Sequence, residues 1–410
     1  LWKLFINKTS TYKGMKKNLF YLFALICSMS LFTACSDDDK VNTGLNTSYA
    51  SSELELIYGG EVMLGKKVSF NTTDGVNGTV TLEGAELALT LTKATMPSSE
   101  LVNSGVIPGE SLVSFPVALQ TTESGYTFEG THASSSYSFD YKGAVEAGKL
   151  SLDLSNVKLL GDNALVGTWN LQEFDPWGED RPLHAVWDSE QPFSVVMFPF
   201  PGAQPVELQP GGFITLISSI GLIPVGDENV NINEVLSYLL KSVTFKEDGN
   251  IVASYSDAAN LASPQFQNSP LNLVQYALKN NKLYLYLNVE AIIAATQQVA
   301  TKALDAETIL PLVLPKLMEL IPMLSNGIPL GYTVEEGALS VYIDNELGLK
   351  IVDILLPLLE NEEVGAAIKE AATSNPDFAA FAGVVDAILE QAPAVLGKTT
   401  KMELGLNFVK

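Results

Sequence analysis

One stretch of the chain gathers side chains suited to recognition: Glu173-Phe174-Asp175-Pro176-Trp177-Gly178-Glu179-Asp180-Arg181-Pro182-Leu183-His184-Ala185-Val186-Trp187-Asp188. It holds the chain's sole arginine, one of its two histidines, and two of its four tryptophans. Flat aromatic faces stack on sugar C–H groups, and planar charged side chains hydrogen-bond hydroxyls. Trp177, Arg181, His184 and Trp187 are therefore the candidate ligand-binding residues, with a glycan as the ligand. The competing role is structural: Trp177 and Trp187 would pin a long loop to its sheet while Arg181 pairs with Asp180 or Asp188.

Other catalytic patterns are missing from the sequence. Neither histidine has metal-ligand spacing, and His132, within Gly130-Thr131-His132-Ala133-Ser134-Ser135, is expected in an exposed loop. No Gly-x-Ser-x-Gly elbow, phosphate loop or dinucleotide fingerprint occurs. Both cysteines, Cys27 and Cys35, lie near the start, so the body beyond them has neither a disulfide framework nor thiolates for zinc. The expectation is a non-enzymatic protein with no catalytic residue, no metal and no cofactor.

With 410 residues, 47% of them hydrophobic and 17% charged, the composition is globular. At about 150 residues per domain, two or three domains are expected. Lys and Arg total 24 against 47 Asp and Glu, a formal charge of −23. A phosphate backbone would be repelled, which excludes nucleic acid as a partner.

Residues 1–35 are expected to be an upstream extension followed by an export signal: Lys16-Lys17 after Met15, then an apolar run from Leu19 to Phe32. That run falls short of the roughly 20 apolar residues a membrane span needs, so it is expected to be cleaved. Leu31-Phe32-Thr33-Ala34-Cys35 resembles the lipobox of bacterial lipoproteins, which implies acylation of Cys35 and a membrane partner through that lipid anchor. Ser36-Asp37-Asp38-Asp39-Lys40 resembles the acidic export tag of Bacteroidetes-type surface lipoproteins, implying an outer-membrane position facing the cell exterior. Losing the leader removes five lysines and no acid, leaving the rest more acidic still. Acyl chains, at about 0.8 kcal/mol per buried CH2, would then hold the protein to the membrane. Residues 36–52, rich in Asp, Asn, Ser and Thr, read as a flexible tether.

Two β-rich bodies are expected after the tether, giving a mainly β chain with helical insertions (α+β). In 53–162, period-two runs such as Val68-Phe70, Phe115-Val117-Leu119 and Tyr137-Phe139-Tyr141 predict an all-β meander, a β-sandwich or small barrel. Gly59-Gly60 marks a hairpin, and Pro97 to Glu110 is expected as an exposed loop. In 163–410, a strand opens around Gly167-Thr168-Trp169, and hairpins are predicted at Asp248-Gly249, Asn280-Asn281 and Glu336-Gly337, the last needing a bulge. Met402 to Leu406 supplies a closing strand.

The opening Gly167-x-Trp169, the Thr244-Phe245-x-x-Asp248-Gly249 hairpin and the downstream Asn281-Lys282-Leu283-Tyr284-Leu285 resemble a lipocalin-like barrel. The whole chain resembles an uncharacterised Bacteroidetes-type surface lipoprotein family, a domain of unknown function whose C-terminal half is lipocalin-like. It departs from a lipocalin in the roughly 70 residues between Trp169 and Thr244 and in its long helical segments, so a lipocalin's ligand cavity does not simply carry over.

Helices are expected over Asn231 to Leu240, opened by a capping box to Glu234, over Asn288 to Ala303, and after Asn375-Pro376-Asp377. Ile309 to Leu324 and Leu347 to Leu359 are apolar nearly all round and must be buried or covered, with Pro311, Pro315, Pro322 and Pro357 expected to kink or break them. They would cap the barrel as core or act as a lid over an apolar ligand. The functional expectation is a lipid-anchored binding module for a glycan or a hydrophobic small molecule. The alternative is a structural or accessory component of a surface complex, with no small-molecule site and an unknown protein partner.

Overall fold

A computed structural model of the protein describes residues 43–87, 90–91, 94–95, 102–161, 163–196, 204–221, 223–226, 228–257, 261–296, 320–361, 366 and 382–410. The leader, Cys35, most of 309–324 and the Asn375-Pro376-Asp377 cap lie outside the described residues. The described chain is mainly β, with several sheets and few helices.

The first body comprises β1 (Thr47–Ala50), β2 (Leu54–Tyr58), β3 (Glu61–Val62), β4 (Lys66–Thr72), β5 (Asn77–Gly84), β6 (Thr90–Leu91), β7 (Ala94–Thr95), β8 (Leu112–Ala118), β9 (Gln120–Thr121), β10 (Gly125–Ala133), β11 (Tyr137–Glu146) and β12 (Lys149–Leu159). One sheet runs β1-β4-β5-β8 and a second runs β3-β2-β12-β11-β10-β9. Alternation sends Val68, Phe70, Val80, Leu82 and Phe115 from the first sheet into one shared core with Leu56, Phe128, Phe139, Leu152 and Leu154 from the second. Each such side chain contributes about 1.5–3 kcal/mol on burial. The Gly59-Gly60 hairpin forms as expected, joining β2 to β3. The pairing of β2 with β12 is parallel, which a simple meander does not require.

Three expectations for this body are corrected. The segment expected as a tether already belongs to the sheet from Thr47, because Leu45 and Tyr49 are buried and the Asn46 side-chain amide bonds the backbone of Thr72 in both directions. The loop expected to be exposed is buried over 103–108, with Asn103, Ser104, Val106 and Ile107 at most 2% exposed, while Val102 stays exposed. Lys66 holds it: the buried ammonium donates to Ser104 O at 2.8 Å, Ser104 Oγ at 3.1 Å and Gly105 O at 3.0 Å. His132 lies in β10, half-buried, its ring 5.2 Å from that of Phe115 and 5.3 Å from that of Phe139, and burial lowers its pKa.

The second body runs β13 (Gly167–Leu171), β14 (Leu183–Ser189), β15 (Phe193–Val195), β16 (Val206–Leu208), α1 (Pro210–Ser218), β17 (Ile223–Val225), β18 (Glu228–Val230), α2 (Ile232–Leu239), β19 (Leu240–Phe245), β20 (Ile251–Tyr255), β21 (Gln267–Asn268), β22 (Val274–Lys279), β23 (Lys282–Leu287), α3 (Val289–Thr296), α4 (Pro322–Asn326), β24 (Ile328–Glu335), β25 (Ala338–Ile343), α5 (Asn345–Leu359), α6 (Ala382–Leu396) and β26 (Thr399–Val409). Its ten-stranded sheet has the order β21-β20-β19-β13-β26-β25-β24-β23-β22, with β14 also paired to β26. An isolated bridge joins Asn250, just before β20, to Gln275 of the end strand β22, and Tyr276 N donates to Gly249 O at 2.7 Å. Trp169 is fully buried in the core and donates its indole N–H to Leu165 O at 2.7 Å.

The three expected hairpins all form, and two of their turns differ from expectation. Glu336-Gly337 is the tight two-residue turn, with φ of 42° and 89° and no bulge, as is Asn280-Asn281. At Asp248-Gly249 the loop is longer, because the Asp248 carboxylate accepts from Asn250 N and Gly249 N bonds back to Lys246 O. The capping box forms in full, Asn231 Oδ1 accepting from Glu234 N and Glu234 Oε2 accepting from Asn231 N. Helix α5 runs on through Pro357 to Leu359, so of the expected kink or break the break does not occur. The carbonyl Pro357 leaves unpaired belongs to exposed Asp353, which water can satisfy.

Candidate functional site

The recognition stretch is organised by β26. The chain leaves the edge of that strand after β13 and returns at β14, and Asn407 grips both ends of the excursion. Gln172 N donates to Asn407 O at 2.9 Å, and Asn407 N donates to Pro182 O at 2.8 Å. The Asn407 side chain donates to Arg181 O at 3.0 Å and accepts from Ser340 Oγ at 2.7 Å.

Within the loop, Asp175 N donates to Asp180 O at 2.9 Å, and Trp177 N donates to Asp175 Oδ1 at 2.9 Å. Arg181 Nε donates to Glu179 O at 3.2 Å. These bonds fix a turn that holds Trp177 out, 95% exposed. A ring so exposed pins nothing, so Asn407 takes the anchoring role that the sequence suggested for Trp177. Glu173, Asp175, Glu179 and Asp180 lie within four positions of it in the sequence, four carboxylates against the one guanidinium of Arg181.

His184 and Trp187 belong to β14, opposite Gly405 and Met402 of β26. Three residues apart on an alternating strand, they point to opposite faces. Trp187 turns inward, packs against the Val352, Leu396 and Met402 cluster and donates its indole N–H to Thr399 Oγ1 at 2.9 Å. His184 turns outward, its ring stacked on Tyr342 at 4.7 Å with Nε2 3.3 Å from Glu403 Oε2. Both His184 and Tyr342 pair with Gly405, whose missing side chain leaves room for the stack. The other Glu403 oxygen binds Lys401 Nζ at 3.0 Å. Burial, then the Glu403 charge, pushes the Tyr342 hydroxyl pKa up, while the bond to Glu403 raises that of Lys401.

The structure therefore brings Trp177 and Arg181 together on one loop, with His184 on the adjoining outer face and Trp187 behind the sheet. Asn407, Tyr342 and Glu403 were missed in sequence because they lie more than 150 positions downstream. The one available signal was a polar Asn407 between Leu406 and Phe408. Among the described residues no group of three or more His, Cys, Asp or Glu could hold a metal ion, and no helix is long and apolar enough to cross a membrane. In comparisons with known proteins, no family model, no curated protein and no solved structure matches the chain.

Proposed function

We propose that the protein is a lipid-anchored outer-membrane lipoprotein, displayed at the cell surface, that acts as a non-enzymatic glycan-binding module. The observation that carries this reading is Trp177, 95% exposed on a loop whose two ends are clamped by Asn407. A flat ring held in a fixed turn loses little freedom when a sugar stacks on it. The loop's carboxylates oppose anionic saccharides, so the ligand is a neutral glycan. In this reading Arg181, on the same loop, hydrogen-bonds the sugar's hydroxyls, with His184 on the adjoining outer face and Trp187 packed behind the sheet.

Acylation of Cys35 is the anchor in this reading, and the second body is a lipocalin-like barrel in a Bacteroidetes-type surface lipoprotein. The Gly167-x-Trp169 opening and the bridge between Asn250 and Gln275 support the barrel. The apolar-ligand variant draws less support, since Leu347 and Ile351 of α5 pack into the sheet's core.

The test is a neutral-glycan array followed by a fluorescence titration of the best hit, with Trp177→Ala alongside. Binding that disappears in the variant supports the reading; a blank array, or a variant that binds equally well, overturns it. Mass spectrometry of membrane-extracted protein should find acyl chains on Cys35. The rival reading, an accessory component of a surface complex, gains if the array is blank and the same ring cross-links to a protein.

A further inference from the structure

The two bodies meet through polar groups, and most of them are buried. Tyr58 at the end of β2 donates its hydroxyl to Asp248 O at 2.6 Å. Asn272 Nδ2 donates to Tyr58 O at 3.1 Å and to Glu61 O at 3.0 Å, and Asn288 Nδ2 donates to Leu64 O at 2.9 Å. Leu159 N donates to Glu247 O at 2.9 Å. Gly59, at φ +61°, lies against this joint: a Cβ there would sit 3.0 Å from Asp248 Oδ2. The joint adjoins the isolated bridge between Asn250, just before β20, and Gln275 of β22.

Four polar atoms around this joint are buried with no hydrogen-bond partner: Asn103 Oδ1, Asn250 Nδ2, Asn272 Oδ1 and Gln275 Nε2. Their residues are all at most 4% exposed. Two are donors and two are acceptors, and all four belong to neutral amides. A cation would be opposed by the two N–H donors, and an anion by the two oxygens and by the Asp248 carboxylate. Water serves both kinds of group at once, and buried waters typically make about three hydrogen bonds each.

We propose that the joint is a built hydration site, in which bound water bridges Asn103, Asn250, Asn272 and Gln275 and ties the first body to the Asn250–Gln275 bridge of the large sheet. Water there would be long-lived, since all four amides belong to residues at most 4% exposed.

The experiment is water oxygen-17 magnetic relaxation dispersion on the full chain, which detects only waters held for nanoseconds or longer. It is paired with a crystal structure that resolves waters. Gln275→Met and Asn250→Leu roughly keep side-chain size while removing the amide NH2 and its oxygen, which in Asn250 also accepts from Asn272 N. The expected result is electron density for water within hydrogen-bond distance of these amides, and a dispersion amplitude that falls by at least one water in a folded variant. If the amides are found turned to bond one another with no water between them, or if both variants fold and keep the full amplitude, the proposal is overturned. Gln275→Met keeps the test decisive if Asn250→Leu does not fold, because it leaves the Asn250 bond to Asn272 N intact.

Discussion

Asn407 donates its side-chain amide to the carbonyl of Arg181 at 3.0 Å, so a residue at the middle of the large sheet holds the base of the loop that displays Trp177. Replacing Asn407 with Ala removes this bond and the one from Ser340 Oγ, at about 1 kcal/mol each. The expected outcome is a loss of about 2 kcal/mol in stability, faster amide exchange over 173–181 by hydrogen-exchange mass spectrometry, and weaker glycan binding. Unchanged exchange in the loop would show that the backbone bonds alone suffice.

Trp177→Ala should leave stability within about 0.5 kcal/mol of the parent, because the ring is almost wholly in water. In the chain without residues 1–35, which carry Trp2, the same change should remove most of the acrylamide-quenchable fluorescence, since Trp169 is fully buried and Trp187 is packed under α5 and α6. A large drop in melting temperature would reveal a packing role for the ring.

Lys66 gives a pH signature. Burial lowers its pKa from 10.5 to about 7, so between those values the unfolded chain binds a proton that the folded chain does not. Stability must then rise with pH through that window, by at most about 1.4 kcal/mol per unit. Urea midpoints compared at pH 7 and 9.5 should show this rise in the parent relative to Lys66→Met. A difference between the two proteins that does not change with pH would contradict it.

Gly405→Ala tests the outer face. A Cβ at that position would lie 2.0 Å from Val341 O, so β25 and β26 would have to part. A loss of about 3 kcal/mol is expected, with the His184 ring resonances shifted as its stack on Tyr342 opens. Calorimetry and NMR of the variant measure both.

The strands were legible wherever a residue's partner was local. Val68-Phe70 and Tyr137-Phe139-Tyr141 alternate cleanly, and the pair Asn280-Asn281 accepts the positive φ angles of a tight turn. Long-range pairing was not legible. Nothing near Lys66 announces that its ammonium will meet Ser104 and Gly105, and that contact is what buries a loop of exposed composition. The same holds for the recognition stretch. Spacing placed Trp177, Arg181, His184 and Trp187 together in sequence, but a strand's alternation sends His184 and Trp187 to opposite faces. Asn407, which fixes the loop, lies one residue beyond the closing strand expected over Met402 to Leu406, on a strand that runs on to Val409.

The parallel pairing of β2 with β12 carries a further consequence. As the chain is synthesised, Leu54–Tyr58 emerges early but finds its neighbour only when Lys149–Leu159 has followed, and β13 waits in the same way for Thr399–Val409. Neither sheet can be sealed piecemeal, so folding of each body is governed by contacts of high sequence separation and is slow relative to helix or hairpin formation. A nascent chain of this topology therefore stays threadable until its late strands arrive.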